Sequence, residues 1–379
     1  MTGDDVYTSQ EDQEASSRPA RPACRGGAEG VSRDVVLLDG GMGHELKLQG
    51  ISDGTFLSGL LANEDNKAAV ESVHQRYIAA GCRTITTNSF VAVPQRMLDC
   101  QQATNKLESE ERARQLVRAA VERAKHAILK SGKDGVGVRI AGCVPPLTDC
   151  YFADLVLSLG EMIPSYEAII GELVGHVDVL LAETLSTSVE AEAILIAISN
   201  VTRKRKSASI PVWISFTIND DSTQSRLRSG EDLGSTVEDV IERANNLEGV
   251  NLEALGINCS TPTSVTAAIP VIKRSLQKQG MTLQILAYGN CFKTTTSEWM
   301  DSLGKGDGKT TVGNDVCCTD CDDDYEGDYL IPRAYAKHAM KWISLGCSIV
   351  GGCCGSRPEH MKAVSDGIER SPLKTSIFA

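Results

Sequence analysis

The chain has 379 residues, 41% of them hydrophobic and only 4% aromatic, so it can fill a large and mainly aliphatic core. Its 38 basic and 50 acidic residues leave a net charge of -12, which argues against nucleic acid or an anionic membrane as the main partner. No apolar run approaches the length of a membrane span.

Residues 1–33 are rich in Asp, Glu, Ser, Arg, Pro and Gly, a composition that predicts a disordered tail. The opening Met1-Thr2-Gly3-Asp4-Asp5 has no apolar segment behind a basic head, so a cytoplasmic location is expected. Thirteen cysteines in a reducing compartment do not read as a disulfide framework. Metal binding or catalysis accounts for some of them, and core packing for the rest.

From Val35 onward short β-type runs alternate with helical stretches. Strands are predicted at 35–38, 84–87, 136–141, 177–181, 212–216, 252–257, 283–287 and 348–350. The helices between and after them are predicted at 67–80, 106–129, 162–174, 189–198, 236–246, 265–276 and 333–344, with a closing helix from about 358. Most of the strands are continuously apolar, as parallel strands covered on both faces are. Eight such units predict a single (β/α)8 TIM-type barrel over 34–370, followed by a C-terminal tail at 371–379. An open doubly wound sheet is the structural alternative. The Gly-, Asp- and Thr-rich segment 304–327 breaks the pattern and reads as a long inserted loop before the last helix-strand unit. Its Cys317, Cys318 and Cys321 have no obvious fourth partner and read as exposed reduced thiols.

In such a barrel the site lies at the C-terminal ends of the strands. The residues there include Asp39-Gly40-Gly41, Asn88-Ser89, Gly142-Cys143, Glu183-Thr184, Asn258-Cys259 and Gly351-Gly352-Cys353-Cys354-Gly355. Cys353 and Cys354 on a strand would point to opposite faces and pack in the core; alternatively the surrounding glycines allow the backbone to turn so that both meet one ion. Cys259 on the same rim gives a three-thiolate metal site with an open fourth position, and soft donors favour zinc. The Asp39-Gly40-Gly41 turn is either a plain strand-to-loop turn or a carboxylate aimed at a substrate ammonium, with glycine amides free to hold a carboxylate. Glu183 is either a structural partner for a basic group or a second acceptor for that ammonium. His44 reads as a helix-start or loop residue.

The segments Val36-Leu37-Leu38-Asp39-Gly40-Gly41-Met42-Gly43-His44-Glu45-Leu46, Ile85-Thr86-Thr87-Asn88-Ser89-Phe90, Glu183-Thr184, Gly256-Ile257-Asn258-Cys259 and Gly351-Gly352-Cys353-Cys354-Gly355 together resemble the homocysteine S-methyltransferase family over roughly 34–370. The resemblance implies one zinc held by Cys259, Cys353 and Cys354, and L-homocysteine as methyl acceptor, giving methionine. It implies that Asp39 and Glu183 hold the amino group, that Gly40 and Gly41 lie against the carboxylate, and that Asn88, Ser215 and Asn258 line the pocket. Departures from the family pattern include His44, Phe56-Leu57-Ser58, Cys143-Val144-Pro145-Pro146 and Tyr288-Gly289-Asn290, around the methyl-donor side. Thr184 after the strand-four Glu resembles the branch that uses S-methylmethionine or S-adenosylmethionine. The alternatives are a betaine-using enzyme of the same family and a zinc-binding barrel with a non-catalytic role.

Overall fold

The computed structural model describes residues 35–371, apart from 54, 149, 221–223, 297 and 299–323. The proposed tail at 1–33 and the Cys317, Cys318, Cys321 cluster lie outside the described residues, as does the proposed C-terminal tail beyond Ser371.

Eight parallel strands form the sheet among the described residues: β1 (Val36–Leu37), β2 (Thr84–Thr86), β3 (Arg139–Val144), β4 (Val179–Leu185), β5 (Ile210–Phe216), β6 (Val250–Asn258), β7 (Gln284–Tyr288) and β8 (Ile349–Val350). Hydrogen-bonded neighbours run β1-β8-β7-β6-β5-β4-β3-β2. The ring closes where Leu38 bridges Thr84 in parallel, with the Arg83 amide donating to Leu37 O at 2.9 Å and the Asp39 amide to Thr84 O at 3.1 Å. The predicted TIM-type barrel is therefore the observed fold.

The alternation of side chains along each strand divides the core in two. Leu38, Leu181, Trp213 and Leu286 fill the barrel interior, and a larger aliphatic layer lies between the strands and the helices. Those helices are α1 (Met42–Leu48), α2 (Phe56–Asp65), α3 (Lys67–Ala79), α4 (Pro94–Asp99), α5 (Lys106–Lys130), α6 (Leu159–Leu173), α7 (Ser188–Arg205), α8 (Leu233–Asn245), α9 (Pro262–Lys278), α10 (Pro332–Leu345) and α11 (Pro358–Arg370). Thr187 caps α7: its hydroxyl accepts from the Glu190 amide at 3.2 Å while the Glu190 carboxylate accepts from the Thr187 amide at 3.0 Å. This fixes the start of α7 only a few residues past Glu183.

Several predicted strand bounds shift; β6 runs Val250–Asn258, so Asn258 lies in the strand rather than past it. β3 begins at Arg139, because Gly132–Gly135 form a 3-10 turn and Val136 is exposed. It runs on to Val144, so Gly142 and Cys143 sit in the strand rather than past it. β4 extends to Leu185, so Glu183 and Thr184 also belong to it. At the end of the predicted insertion, Tyr325–Glu326 and Tyr329–Leu330 form an antiparallel hairpin. The Leu330 amide donates to Cys291 O at 2.7 Å, fastening the hairpin to the loop after β7. Among the described residues no helix is long and apolar enough to cross a membrane.

Candidate metal and substrate site

The loops after β6 and β8 bring three sulfurs together. The Sγ atoms of Cys259, Cys353 and Cys354 lie within 4.8 Å of one another, and those of Cys259 and Cys354 are 3.6 Å apart. All three cysteines are free. Thiolates on one tetrahedral zinc are separated by ~3.8 Å, from Zn–S bonds of about 2.3 Å, so this donor set fits a single soft cation. Cys353 and Cys354 donate to the Cys259 sulfur, which holds Cys259 well below the usual thiol range and pushes both donors above it.

The backbone around these sulfurs is pinned at several points. The Cys259 amide donates to Tyr288 O at 3.1 Å, the Cys353 amide to Gly289 O at 3.0 Å, and the Cys291 amide to Cys354 O at 2.9 Å. Cys259 has φ 50° and Gly355 has φ 77°, so the turns fall at these two residues. Gly351 and Gly352, expected to act as hinges, have no positive φ and serve close approach instead. A Cβ on Gly352 would lie 2.1 Å from Ser356 Oγ, and one on Gly40 would lie 2.6 Å from the same atom. Ser356 is thereby wedged between the first and last strand loops. Its carbonyl accepts from the Gly41 amide at 3.1 Å and from Tyr77 Oη at 3.1 Å, and its hydroxyl donates to Cys353 O at 2.6 Å.

Two carboxylates face the same end of the barrel, both buried. Asp39 accepts from the Thr86 amide and hydroxyl, each at 2.9 Å. Burial pushes its pKa up to about 7 against those donors, with the Glu183 charge adding to the rise. Glu183 accepts from Tyr288 Oη at 3.1 Å and from the Cys143 thiol, and burial raises it to about 7 as well. Two such acids with no basic partner among these contacts are costly to ionise and suited to receiving a cation.

Ser215 and Asn258 are also here. The Ser215 hydroxyl donates to Asn258 Oδ1 at 2.8 Å, and the Asn258 carboxamide also bonds Thr184. Two other expected pocket groups make hydrogen bonds within the chain. Asn88 is half-buried and donates to Gly59 O at 2.8 Å, tying the β2 loop to α2. The Gly41 amide, expected to be free, is occupied by Ser356. His44 lies in α1 with its ring 5.0 Å from that of Tyr329, and is not part of the sulfur cluster.

Several neighbours of the sulfurs carry no signal in the sequence. The Tyr151 hydroxyl is 2.6 Å from Cys259 Sγ, and the Arg228 guanidinium lies 5.2 Å from the Tyr151 ring centre. Arg228 pairs with the buried Asp220 at 3.2 Å; Asp220 in turn accepts the Thr261 and Thr296 amides at 3.0 and 2.8 Å. Tyr151, Arg228 and Ser356 lie in loops without regular pattern, and only the closure of the barrel brings them to the sulfurs.

Residues 36–368 match the model of the homocysteine S-methyltransferase family. The chain belongs to that family. It is, by that membership, a methyltransferase. It is 26% identical over 344 residues to the homocysteine S-methyltransferase of Escherichia coli (strain K12), an alignment covering 88% of this chain and 94% of that protein. It is 23% identical over 351 residues, with the same coverages, to homocysteine S-methyltransferase 1 of Brassica oleracea var. italica. The crystal structure of the metallated Escherichia coli homocysteine methyltransferase MmuM superposes with a TM-score of 0.62 at 23% identity, covering 88% of this chain and 96% of that one, and supports the barrel fold.

Proposed function

We propose that this methyltransferase moves a methyl group from a sulfonium donor, S-methylmethionine or S-adenosylmethionine, to L-homocysteine, with zinc held by Cys259, Cys353 and Cys354. The convergence of three free cysteine sulfurs beside two buried, cation-seeking carboxylates carries this reading. When bound, zinc would supply the Lewis acidity that keeps the acceptor thiol deprotonated at neutral pH.

The chain's own residues hold and orient the acceptor. Asp39 and Glu183 take its ammonium group, and the Thr86, Tyr288 and Cys143 donors keep the two carboxylates turned toward it. The Gly40-Gly41 turn lies against its carboxylate; because the Gly41 amide is already bonded, the role of these glycines is to leave room. Ser215 and Asn258 shape the pocket from behind, and Asn88 braces its edge. The acceptor sulfur attacks the methyl carbon as the carbon–sulfonium bond breaks. The donor departs as a neutral thioether, so no general acid is needed. The remaining requirement is in-line placement of the two sulfurs about the methyl carbon.

Thr184, beside Glu183, supports a sulfonium rather than betaine as donor. Free thiols at all nine described cysteines suit a reducing cytoplasmic compartment. The test is a donor panel with homocysteine and zinc-loaded protein. Methionine should form from S-methylmethionine or S-adenosylmethionine and not from betaine; turnover with betaine alone would reverse the donor assignment.

A further inference from the structure

β4 and β6 are separated by β5, so no backbone ladder joins them. The side chain of Asn258 does. Its Oδ1 accepts from the Thr184 amide at 2.8 Å and from the Ser215 hydroxyl of β5 at 2.8 Å, while its Nδ2 donates to Thr184 Oγ1 at 2.7 Å. All three residues are buried. The strand register explains the bond to the amide. Ala182 pairs with Ile214 and Leu185 with Phe216, so Glu183 and Thr184 together oppose Ser215 alone. At this bulge the Thr184 amide is taken by a side chain instead of by β5. Thr184 is held at φ 62°, a conformation that β-branched residues rarely adopt, which points to a position over-determined by its surroundings.

The two ends of this clasp adjoin the two ends of the proposed acceptor site. Glu183 immediately precedes Thr184, and Cys259 immediately follows Asn258 at φ 50°. We propose that the Asn258–Thr184 clasp fixes the span between the ammonium acceptor and the sulfur cluster, and so selects the acceptor amino thiol by length, homocysteine over cysteine. The proposal rests on the reading of Glu183 and Cys259 given above. Homocysteine and cysteine carry the same ammonium, carboxylate and thiol and differ by one methylene. Groups at fixed separation can engage both ends of only one of them. A site that could shift by one carbon–carbon bond would take either. The clasp resists such a shift because one carboxamide holds both the amide and the hydroxyl of a single residue.

The test is calorimetric titration of the zinc-loaded full chain with L-homocysteine and L-cysteine, without donor. One methylene in a fitted site discriminates by about 10- to 200-fold. Thr184→Val keeps the shape and removes the acceptor for Asn258 Nδ2. It should lower the cysteine-to-homocysteine Kd ratio by about tenfold, chiefly by weakening homocysteine, and Thr184→Ser should restore the ratio. A clasp that only supports the fold would lower the melting temperature of Thr184→Val and leave the ratio unchanged; that result overturns the proposal. If Thr184→Val does not fold, Thr184→Ala removes the same hydroxyl without adding a methyl and is read in the same way. Glu183→Gln distinguishes failure of the ammonium contact from failure of the clasp. If it leaves homocysteine affinity intact, the ammonium reading fails and the clasp proposal with it. If it weakens homocysteine while the ratio persists in Thr184→Val, the clasp proposal alone is wrong.

Discussion

Glu183→Gln should have opposite effects on the empty and the substrate-bound protein. Glu183 is buried, and its pKa rises from 4.5 to about 7 chiefly through desolvation. The folded chain therefore binds this proton more tightly than the unfolded chain does, and its stability falls as pH rises from about 4.5 through 7. The interval between those values corresponds to about 3 kcal/mol lost by pH 8. Glutamine removes the charge and recovers part of that loss. It also weakens the hydrogen bonds from Tyr288 Oη and the Cys143 thiol, worth about 1–2 kcal/mol. The empty variant should thus be more stable than the parent by about 1–2 kcal/mol at pH 8 and no more stable at pH 5, where Glu183 is already neutral. Homocysteine affinity at pH 8 should fall by roughly 10- to 100-fold, because the ammonium loses a charged partner. Thermal unfolding at the two pH values and calorimetry with homocysteine provide the measurements. Equal destabilisation at both pH values would refute the buried-charge reasoning, and unaltered homocysteine affinity would refute the assignment of Glu183 to the ammonium.

Other consequences can be measured separately. Asp39 and Glu183 must both ionise to receive an ammonium, so homocysteine affinity should climb between pH 6 and 8, and Asp39→Asn should flatten part of that rise; an unchanged profile in the variant would remove Asp39 from the site. Gly352→Ala places a Cβ 2.1 Å from Ser356 Oγ and should cost about 1–3 kcal/mol in urea unfolding, whereas parent-like stability would show that Ser356 is not wedged there. Cys354→Ser should weaken zinc binding by roughly a hundredfold or more in competition with a chelating dye, beyond the effect of losing an outer-shell contact; parent-like affinity would exclude Cys354 as a ligand.

The barrel was legible because its strands are short, nearly continuous apolar runs, and because the polar residues that follow them gather at one end. The sulfur cluster was legible for the same reason: Asn258-Cys259 and Gly352-Cys353-Cys354 each end such a run. The boundaries of β3 were harder to read. Val136 and Val138 look like a strand start, but the adjoining glycines support a tight turn, and Cys143 becomes part of the strand. The left-handed backbone at Thr184 and Cys259 runs against local propensity and follows from the bulge and the Asn258 clasp. Tyr151, Arg228 and Ser356 reach the site from loops whose composition carries no periodic signal, so only tertiary closure identifies them.

In the proposed function, homocysteine methylation depends on a zinc ion held by Cys259, Cys353 and Cys354. The most direct measurement is methionine formation by the chelator-stripped 379-residue protein supplied with homocysteine and S-methylmethionine or S-adenosylmethionine, before and after one equivalent of zinc. Turnover should be lost on stripping and return with zinc in the parent, and should not return in Cys259→Ala. Undiminished turnover in protein shown by elemental analysis to be zinc-free would show that methylation does not depend on zinc.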